Sequence, residues 1–216
     1  MVEGHFIVLE GVDGAGTTTH TRLLAERLAA RGLPVHATRE PSDGPIGTLV
    51  RQVLTGRVVV PGVHGARPPS WTTMALLFAA DRVDHLEAEV VPNLMDGVTV
   101  VSDRYYHSSL AYQSTSAGGL DEHIAWIREM NRHARRPDLT IILDIPPEVA
   151  RRRRLERAAG RELYDDDELQ EQLVGFYRRL PQMLSGERIV LVDANRAVNE
   201  VADEVERHVR RLRGEA

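Results

Sequence analysis

The sequence predicts an α/β fold in which a parallel sheet is covered by helices on both faces. Two observations carry this prediction: the candidate strands are apolar over almost their whole length, and they alternate with segments of helical periodicity. The 216 residues fit one domain and are enough to bury a substantial core. We therefore expect a single domain over the whole chain.

The first part of the chain contains two strands and their helices. His5–Glu10 is a short apolar strand, and Thr18–Arg31 follows with leucines at helical spacing until Gly32 ends the helix. A second strand, Val35–Thr38, leads through a turn at Pro41–Pro45 into the short helical segment IGTLVRQVL.

The same alternation continues after one long loop. Residues Thr55–Ser70 are rich in Gly and Pro and lack periodicity, so we expect a mobile loop. Trp71–Leu94 has helical spacing and is expected to bend before Pro92. Further apolar strands are predicted at Val98–Ser102, Leu139–Ile145 and Arg188–Val192.

Composition argues against several classes of function. The net charge of −5 argues against a general nucleic-acid-binding surface. No apolar run approaches the roughly 20 residues that cross a bilayer, so no membrane is expected. The first residues carry no export signal and the chain has no cysteine, so we expect a cytoplasmic protein without disulfides or cysteine metal sites.

The stretch 11-GVDGAGTTTH-20 has the glycine spacing of a phosphate-binding loop, with glycines at positions 11, 14 and 16. Such a turn between a strand and a helix leaves backbone N–H groups at the helix N-terminus, where the dipole favours anions. A tight strand-to-helix turn without a ligand would give the same spacing. The hydroxyl residue Thr18 stands where it would meet a magnesium ion.

Position 17, where a phosphate-binding loop carries its lysine, is Thr17. All 27 residues counted as Lys+Arg are arginine, so the chain has no lysine. A genomic bias toward arginine explains that pattern, but it would leave arginine at position 17. The charge of the missing lysine must therefore be absent or come from elsewhere.

Two further segments carry polar groups toward the same edge of the sheet. Asp103 and Arg104 follow a buried strand directly, and the carboxyl edge of a parallel sheet is where ligands bind. A structural ion pair would look the same.

Phe78 and Arg82 lie four residues apart on one helix face, so the ring could stack on a base and the guanidinium could donate to its edge. A core phenylalanine beside a solvated arginine is the alternative.

The segment 151-RRRRLERAAGRELYDDDELQE-171 is dense in charge of both signs. A run of four arginines could be a solvated helix face, and a helix cannot direct all four side chains one way, so we expect about half of them to be solvated. The nine histidines show no metal-ligand spacing and are expected to be surface or core residues.

Taken together, these segments resemble the thymidylate kinase family. The glycine loop with Asp13, the TREP turn at Thr38–Pro41, LLFAADR at Leu76–Arg82 and DRYYHSSLAYQ at Asp103–Gln113 have the family's order and spacing, and the similarity runs from about residue 5 to residue 209. The resemblance implies a P-loop kinase fold with a five-stranded parallel sheet, a mobile lid and a homodimer. It also implies ATP and dTMP as substrates, with Mg²⁺.

The resemblance assigns a role to each matched residue of the acceptor site. Phe78 would stack on thymine and Arg82 would hydrogen-bond the base. Arg104, together with Arg51, would hold the monophosphate, and Asp13 would read the deoxyribose hydroxyl. The sugar and base pocket would be completed by Tyr112, Gln113, Ser108 and Ser109.

The resemblance likewise assigns the donor site. Mg²⁺ would be bound at Thr18 and Asp103, and Asp103 would also organise Arg104. The implied ATP-binding residues are those of the glycine loop: Gly11, Val12, Asp13, Gly14, Ala15, Gly16, Thr17, Thr18 and Thr19.

Residues 151–167 correspond to the family's lid. Family members without an arginine in the glycine loop tend to carry lid arginines that reach the ATP phosphates, and here Arg157 and Arg161 flank Gly160. The catalytic residues implied are therefore Asp103, Arg104, Arg157 and Arg161.

The missing lysine leaves three functions open. Losing one preorganised donor costs about 2.7–4 kcal/mol, and an arginine supplied from elsewhere can replace it. We expect an active kinase that makes dTDP from dTMP and Mg-ATP, with lid arginines in place of the lysine. The alternatives are a nucleotide-binding pseudokinase that acts as a regulatory or scaffolding dimer, and a kinase for another deoxynucleotide.

Overall fold

A five-stranded parallel sheet forms the centre of the molecule. The structure is a computed structural model that describes residues 3–156, 163–164 and 166–215. The strands are β1 (Phe6–Glu10), β2 (Val35–Arg39), β3 (Thr99–Asp103), β4 (Leu139–Asp144) and β5 (Ile189–Asp193). Their order across the sheet is β2-β3-β1-β4-β5, and every neighbouring pair is parallel. The predicted strands and fold class are confirmed.

Helices cover both faces of this sheet. They are α1 (Thr17–Ala30), α2 (Pro45–Leu54), α3 (Trp71–His85), α4 (Val91–Met95), α5 (Tyr106–Ser116), α6 (Asp121–Met130), α7 (Pro147–Glu156), α8 (Asp167–Met183) and α9 (Val198–Leu212). α1 and α9 pack on each other and on the sheet, while α8 packs on the sheet and on α5. Among the described helices, none is long and apolar enough to cross a membrane.

The helical segment predicted before β3 is confirmed with one irregularity. A π-helical turn, Leu86–Val90, joins α3 directly to α4. Pro92 is the second residue of α4 and has no N–H to donate to the preceding turn. The wider π turn falls where that bond is missing, which is a common cause of a local change in a helix.

Polar residues collect at the carboxyl edge of the sheet. β1 is buried along its whole length and is paired with β3 on one side and β4 on the other. Its last residue is Glu10, the last of β3 is Asp103 and the last of β4 is Asp144. Because parallel strands end on the same side, these residues and the loops that follow them lie together, as is usual for α/β ligand sites.

Candidate active site

The glycine loop turns tightly between β1 and α1. Gly16 caps α1 with φ 97° in the left-handed region, a conformation that glycine adopts without strain. Gly14 has φ 93°, and a Cβ placed there would lie 2.6 Å from the carbonyl oxygen of Ala150 on α7. Only glycine fits at position 14, because the backbone of α7 packs against it.

The start of α1 is open to an anion. Gly16 provides no side-chain cap, and the first turn of α1 contains no acidic residue. Among the described residues, no acceptor meets the N–H groups of Gly14, Gly16, Thr17 or Thr18. Free N–H groups at a helix N-terminus form an anion site.

The other loop residues predicted to bind ATP support this turn. The N–H of Ala15 donates to the carbonyl oxygen of Val12 at 2.9 Å, and both side chains belong to the hydrophobic core. Thr17 is buried, whereas Thr19 is exposed on the first turn of α1. The loop therefore contributes its backbone more than its side chains.

Thr18 and Asp103 lie side by side, as the sequence predicts for a metal site. The Thr18 hydroxyl donates to Oδ2 of Asp103 at 2.5 Å. The second carboxylate oxygen, Oδ1, is buried and has no partner among the described residues. Within those residues no cluster of three or more His, Asp or Glu could hold a metal by itself.

Arg104 connects the glycine loop to α5. Its guanidinium donates to the carbonyl oxygen of Gly11 at 3.0 Å, to Oγ of Ser108 at 3.1 Å and to Oδ1 of Asp13 at 2.5 Å. It also lies over the ring of Tyr112, 5.2 Å from the ring centroid. Its φ of 72° is the one positive value that a non-glycine residue takes in the described part of the chain. Such strain costs about 1–3 kcal/mol and is often found at functional sites.

A buried carboxylate that sequence analysis missed holds the start of α5. Glu10 accepts the N–H groups of Tyr105 at 2.8 Å and Ser108 at 3.1 Å, and the hydroxyls of Ser108 at 2.7 Å and Tyr177 at 3.0 Å. A carboxylate is favoured at a helix N-terminus. The available signal was a charged residue at the end of an otherwise apolar strand, directly before the glycine loop.

A cavity of about 130 Å³ opens beside the loop. It is lined by most of the residues predicted for the acceptor site: Asp13, Phe78, Arg82, Arg104, Ser108, Ser109, Tyr112 and Gln113. Residues that sequence analysis did not assign to the site also line it: Glu40, Pro41, Leu54, Tyr105 and Tyr164.

Arg51 is the exception among the predicted acceptor residues. It does not line the cavity. Its guanidinium donates to the carbonyl oxygens of Pro41 at 2.8 Å and Ser42 at 2.5 Å, and Asp43 lies 3.2 Å from it. These hydrogen bonds hold the Arg51 side chain against the turn that follows β2.

Arg82 is buried within the cavity wall, with 2% of its surface exposed. It donates to Glu40 at 2.6 Å, to Asn131 at 2.5 Å and to Ser109 at 3.2 Å. The alternative of a solvated arginine is therefore wrong. Phe78 lines the cavity and also packs on a small apolar cluster that includes Met74, so it belongs to both the site and the core.

Several residues that line this cavity have unused hydrogen-bonding groups. Buried side-chain atoms without a partner in the described part of the chain include Nε of Arg82, Oε1 of Gln113 and the hydroxyls of Tyr105 and Tyr112. Buried polar groups are normally paired, so unpaired ones call for an explanation. A polar ligand in the cavity supplies one.

Charged groups behind Arg82 fix its position. Glu40 also faces His85, with 3.4 Å between Oε1 and Nδ1. Burial acts to lower the pKa of His85, but the hydrogen bond and charge of Glu40, together with the charges of Glu89 and Asp81, raise it overall. Burial raises the pKa of Asp81, although it accepts the N–H and hydroxyl of Ser42 at 2.9 and 2.5 Å.

The end of the predicted lid closes the cavity. The N–H of Leu163 donates to the carbonyl oxygen of Leu54 at 3.0 Å, and the Tyr164 hydroxyl accepts from Gln113 at 3.2 Å. The Tyr164 ring meets the edge of Tyr112, with 5.3 Å between centroids. The predicted catalytic residues Arg157 and Arg161, with Gly160 between them, lie outside the described residues.

The four consecutive arginines divide as predicted. The side chains of Arg151 and Arg152 are 61% and 66% exposed. Arg153 and Arg154 turn to the glycine loop and donate to the carbonyl oxygens of Gly14 at 3.4 Å and Asp13 at 3.3 Å. About half of the run is therefore a solvated helix face.

A model of the family described as thymidylate kinase matches residues 9–205. The chain belongs to the thymidylate kinase family. A probable thymidylate kinase of Pyrococcus horikoshii is 41% identical over 189 residues, which cover 88% of each chain. A thymidylate kinase of Symbiobacterium thermophilum is 39% identical over 214 residues, covering 97% of this chain and 96% of the relative.

Several residues of the candidate site lie far from its motifs in sequence. Gln170 on α8 donates to Oδ2 of Asp13 at 3.1 Å and accepts its N–H at 3.2 Å. Asn131, which follows α6, accepts from Arg82. No local pattern marks either residue, since each acts through a contact made only in the folded chain.

Proposed function

We propose that this member of the thymidylate kinase family transfers the γ-phosphoryl group of ATP to dTMP, giving ADP and dTDP. One observation carries the proposal: a cavity with unused polar groups lies beside an open phosphate-type loop, and Arg104 contacts both. A donor site and an acceptor site then share one cation. That arrangement suits transfer of a phosphoryl group between two bound nucleotides.

The base is recognised by the wall that contains Arg82. Arginine has only hydrogen-bond donors, so it pairs with the O4 acceptor of thymine and not with the amino group of cytosine. Phe78 supplies the stacking surface, and Gln113 offers the unused amide oxygen Oε1 to the ring N3–H. Tyr112 closes the sugar side of the pocket.

The acceptor phosphate and sugar are held near the glycine loop. Arg104 binds the phosphate oxygens as a planar fork, and Asp13 reads the deoxyribose hydroxyl. Ser108 and Ser109 line the turn between β3 and α5 that holds Arg104. Arg51 becomes a second phosphate contact only after its guanidinium leaves the carbonyl oxygens of Pro41 and Ser42.

Mg²⁺ with ATP is the expected cofactor. The fit rests on the donor set: the Thr18 hydroxyl and the Asp103 carboxylate are hard oxygen ligands, and Oδ1 of Asp103 is buried without a partner among the described residues. One or two protein ligands suffice because nucleotide phosphates and water complete the usual shell. When bound, the ion neutralises charge on the phosphate oxygens.

The chemistry needs positioning and charge rather than a covalent intermediate. A phosphate oxygen of dTMP attacks the γ-phosphorus in line while the bond to the ADP oxygen breaks. Backbone N–H groups from Gly14 to Thr18 hold the donor phosphates, and Arg104 aligns the acceptor. Arg157 and Arg161 of the lid supply cationic charge in place of a lysine at position 17.

The same chain forms a homodimer in this proposal. Leu76 and Val83 lie seven residues apart on α3, so they share a helix face, and 54% and 46% of their surfaces are exposed. Such an apolar face is suited to a second copy of the chain.

The cytoplasm remains the proposed compartment, which agrees with the absence of cysteine.

A coupled ADP-release assay tests the proposed function. We expect dTMP-dependent turnover of Mg-ATP. dTMP should be preferred over dCMP and dGMP because the acceptor cavity fits a stacked pyrimidine with an O4 acceptor, and over dUMP because uracil lacks the apolar 5-methyl group of thymine. Turnover equal to buffer, with ATP still bound, would favour the pseudokinase. Preference for another acceptor would favour a different deoxynucleotide kinase.

Replacing Phe78 with alanine is expected to weaken dTMP binding by about 1–3 kcal/mol, the value of one base–aromatic stack. ATP affinity should change little, because Phe78 lies in the wall of the acceptor cavity and, among the described residues, makes no contact with the glycine loop in the proposed site. Isothermal titration of each nucleotide separately measures both effects. Equal losses for dTMP and ATP would show that Phe78 acts through the apolar cluster and not through the base.

A further inference from the structure

Helix α7 lies directly on the glycine loop. A Cβ at Gly14 would lie 2.6 Å from the carbonyl oxygen of Ala150, so no side chain at position 14 can bring a cation to the loop. One turn further along α7, Arg153 and Arg154 donate to the carbonyl oxygens of Gly14 and Asp13 at 3.4 and 3.3 Å. The cations therefore approach the loop from outside it.

The contact made by Arg154 fixes the direction of a phosphate-facing N–H group. The carbonyl of Asp13 and the N–H of Gly14 belong to one trans peptide unit and point in opposite directions. Holding the carbonyl oxygen against Arg154 turns the N–H away from α7. That N–H meets no acceptor in the described part of the chain. It is therefore free for an anion.

Arg154 is itself held in place. Its second terminal nitrogen donates to Oδ1 of Asp167, the first residue of α8, at 2.7 Å, and its side chain is 10% exposed. From the same helix, Gln170 holds the N–H and carboxylate of Asp13. Arg104 holds the other carboxylate oxygen. All polar groups of Asp13 are thus engaged, and Arg154 is the partner of its carbonyl oxygen.

We propose that Arg154, assisted by Arg153, is a positioning residue that keeps the peptide between residues 13 and 14 in its anion-binding orientation. This inference rests on the proposed function and adds a second source of charge to it. A lysine at position 17 would bring a cation to the loop from within. In its absence, the guanidinium groups on α7 stabilise the loop through its carbonyl oxygens, and the lid arginines are left to act on the phosphates.

The test compares Arg154→Gln with Arg152→Gln on the same helix. Each variant loses one positive charge, but Arg152 is 66% exposed and its nearest acid, Glu156, is 4.0 Å away. Titration with ATP in the absence of dTMP should give a Kd about tenfold higher for Arg154→Gln, the effect of losing one charged hydrogen bond. Arg152→Gln should match the wild type. The KM for dTMP should be unchanged in Arg152→Gln.

A second pair of measurements separates positioning from simple folding. The amide NMR signal of Gly14 should shift on addition of inorganic pyrophosphate in the wild type, and the shift should be smaller in Arg154→Gln. Thr17→Lys in the Arg154→Gln background should restore most of the ATP affinity, because the new lysine places a positive charge in the loop next to the ATP phosphates. If Arg154→Gln does not fold, Asp167→Asn is the substitute variant. It keeps the Arg154 guanidinium but removes the carboxylate that anchors it, so the ATP Kd should also rise.

The outcomes distinguish the proposed function from the positioning role of Arg154. Wild-type protein without dTMP-dependent ADP release overturns the proposed function, whatever Arg154→Gln does to ATP binding. The positioning role is overturned if the wild type is active and a folded Arg154→Gln has the same ATP Kd and the same Gly14 shift as Arg152→Gln. An unchanged ATP Kd in Asp167→Asn overturns it when Arg154→Gln cannot be folded.

Discussion

Replacing Arg157 and Arg161 together with alanine is expected to lower kcat about a hundredfold or more, with a smaller change in KM. Charge is redistributed over the transferred phosphoryl group and the leaving oxygen in the transition state, so a cation that enters on lid closure acts mainly there. Steady-state kinetics with saturating dTMP measure the effect. The matched control is the double alanine variant at Arg151 and Arg152, which removes the same charge from an exposed face.

Thr17→Lys in the Arg157 and Arg161 double variant should recover part of the lost rate, because either cation can neutralise the same developing charge. A double variant that keeps full activity would show that the lid is not the source of charge. The backbone N–H groups of the loop, held by Arg153 and Arg154 and acting with Mg²⁺, would then have to suffice.

Replacing Arg104 with alanine is expected to lower kcat/KM for dTMP about a thousandfold, the upper end of the loss for one preorganised donor. The guanidinium joins Gly11, Asp13 and Ser108, so its removal would take away the proposed acceptor-phosphate contact and leave the Asp13 carboxylate without its cation. The coupled assay gives kcat/KM, and titration should show a much smaller change in ATP affinity.

Arg104→Lys is the informative companion to that variant. Lysine keeps the charge but loses the planar fork, so it should recover only part of the activity. Thermal unfolding of both variants shows whether the fold survives, since removing one partner of the partly buried Arg104–Asp13 ion pair is itself destabilising. Equal losses of dTMP and ATP binding, in proportion to lost stability, would contradict a direct role for Arg104.

The sheet and the glycine loop could be predicted because their signals are local. An apolar strand followed by a glycine-rich turn and a helical repeat is contained within a few turns of chain. The family resemblance then predicted which side chains meet at the sheet edge, and Phe78, Arg82 and Tyr112 do line one cavity. Arg51 does not, because its guanidinium donates to the backbone carbonyls of Pro41 and Ser42 in the turn after β2.

The supporting residues could not be predicted, because their partners are distant in sequence. Asp13 and Gln170 are 157 positions apart, and no periodicity links them. Glu10 and Glu40 are charged residues whose roles depend on burial, and the sequence does not reveal which N–H or guanidinium groups will surround them. The packing of Ala150 on Gly14 is likewise a tertiary contact. It explains why position 14 cannot carry an arginine or any other side chain.

The most direct test of the central claim, that cations outside the glycine loop replace its lysine, is the kcat of Thr17→Lys in the otherwise unchanged chain. We predict a value close to that of the wild type, because in the proposed mechanism the lid arginines already meet the phosphates, and a new cation would be repelled by them. Binding of Mg-ATP should remain intact in the variant. A rise in kcat by orders of magnitude would contradict the account, since it would show a kinase operating without the cation it needs.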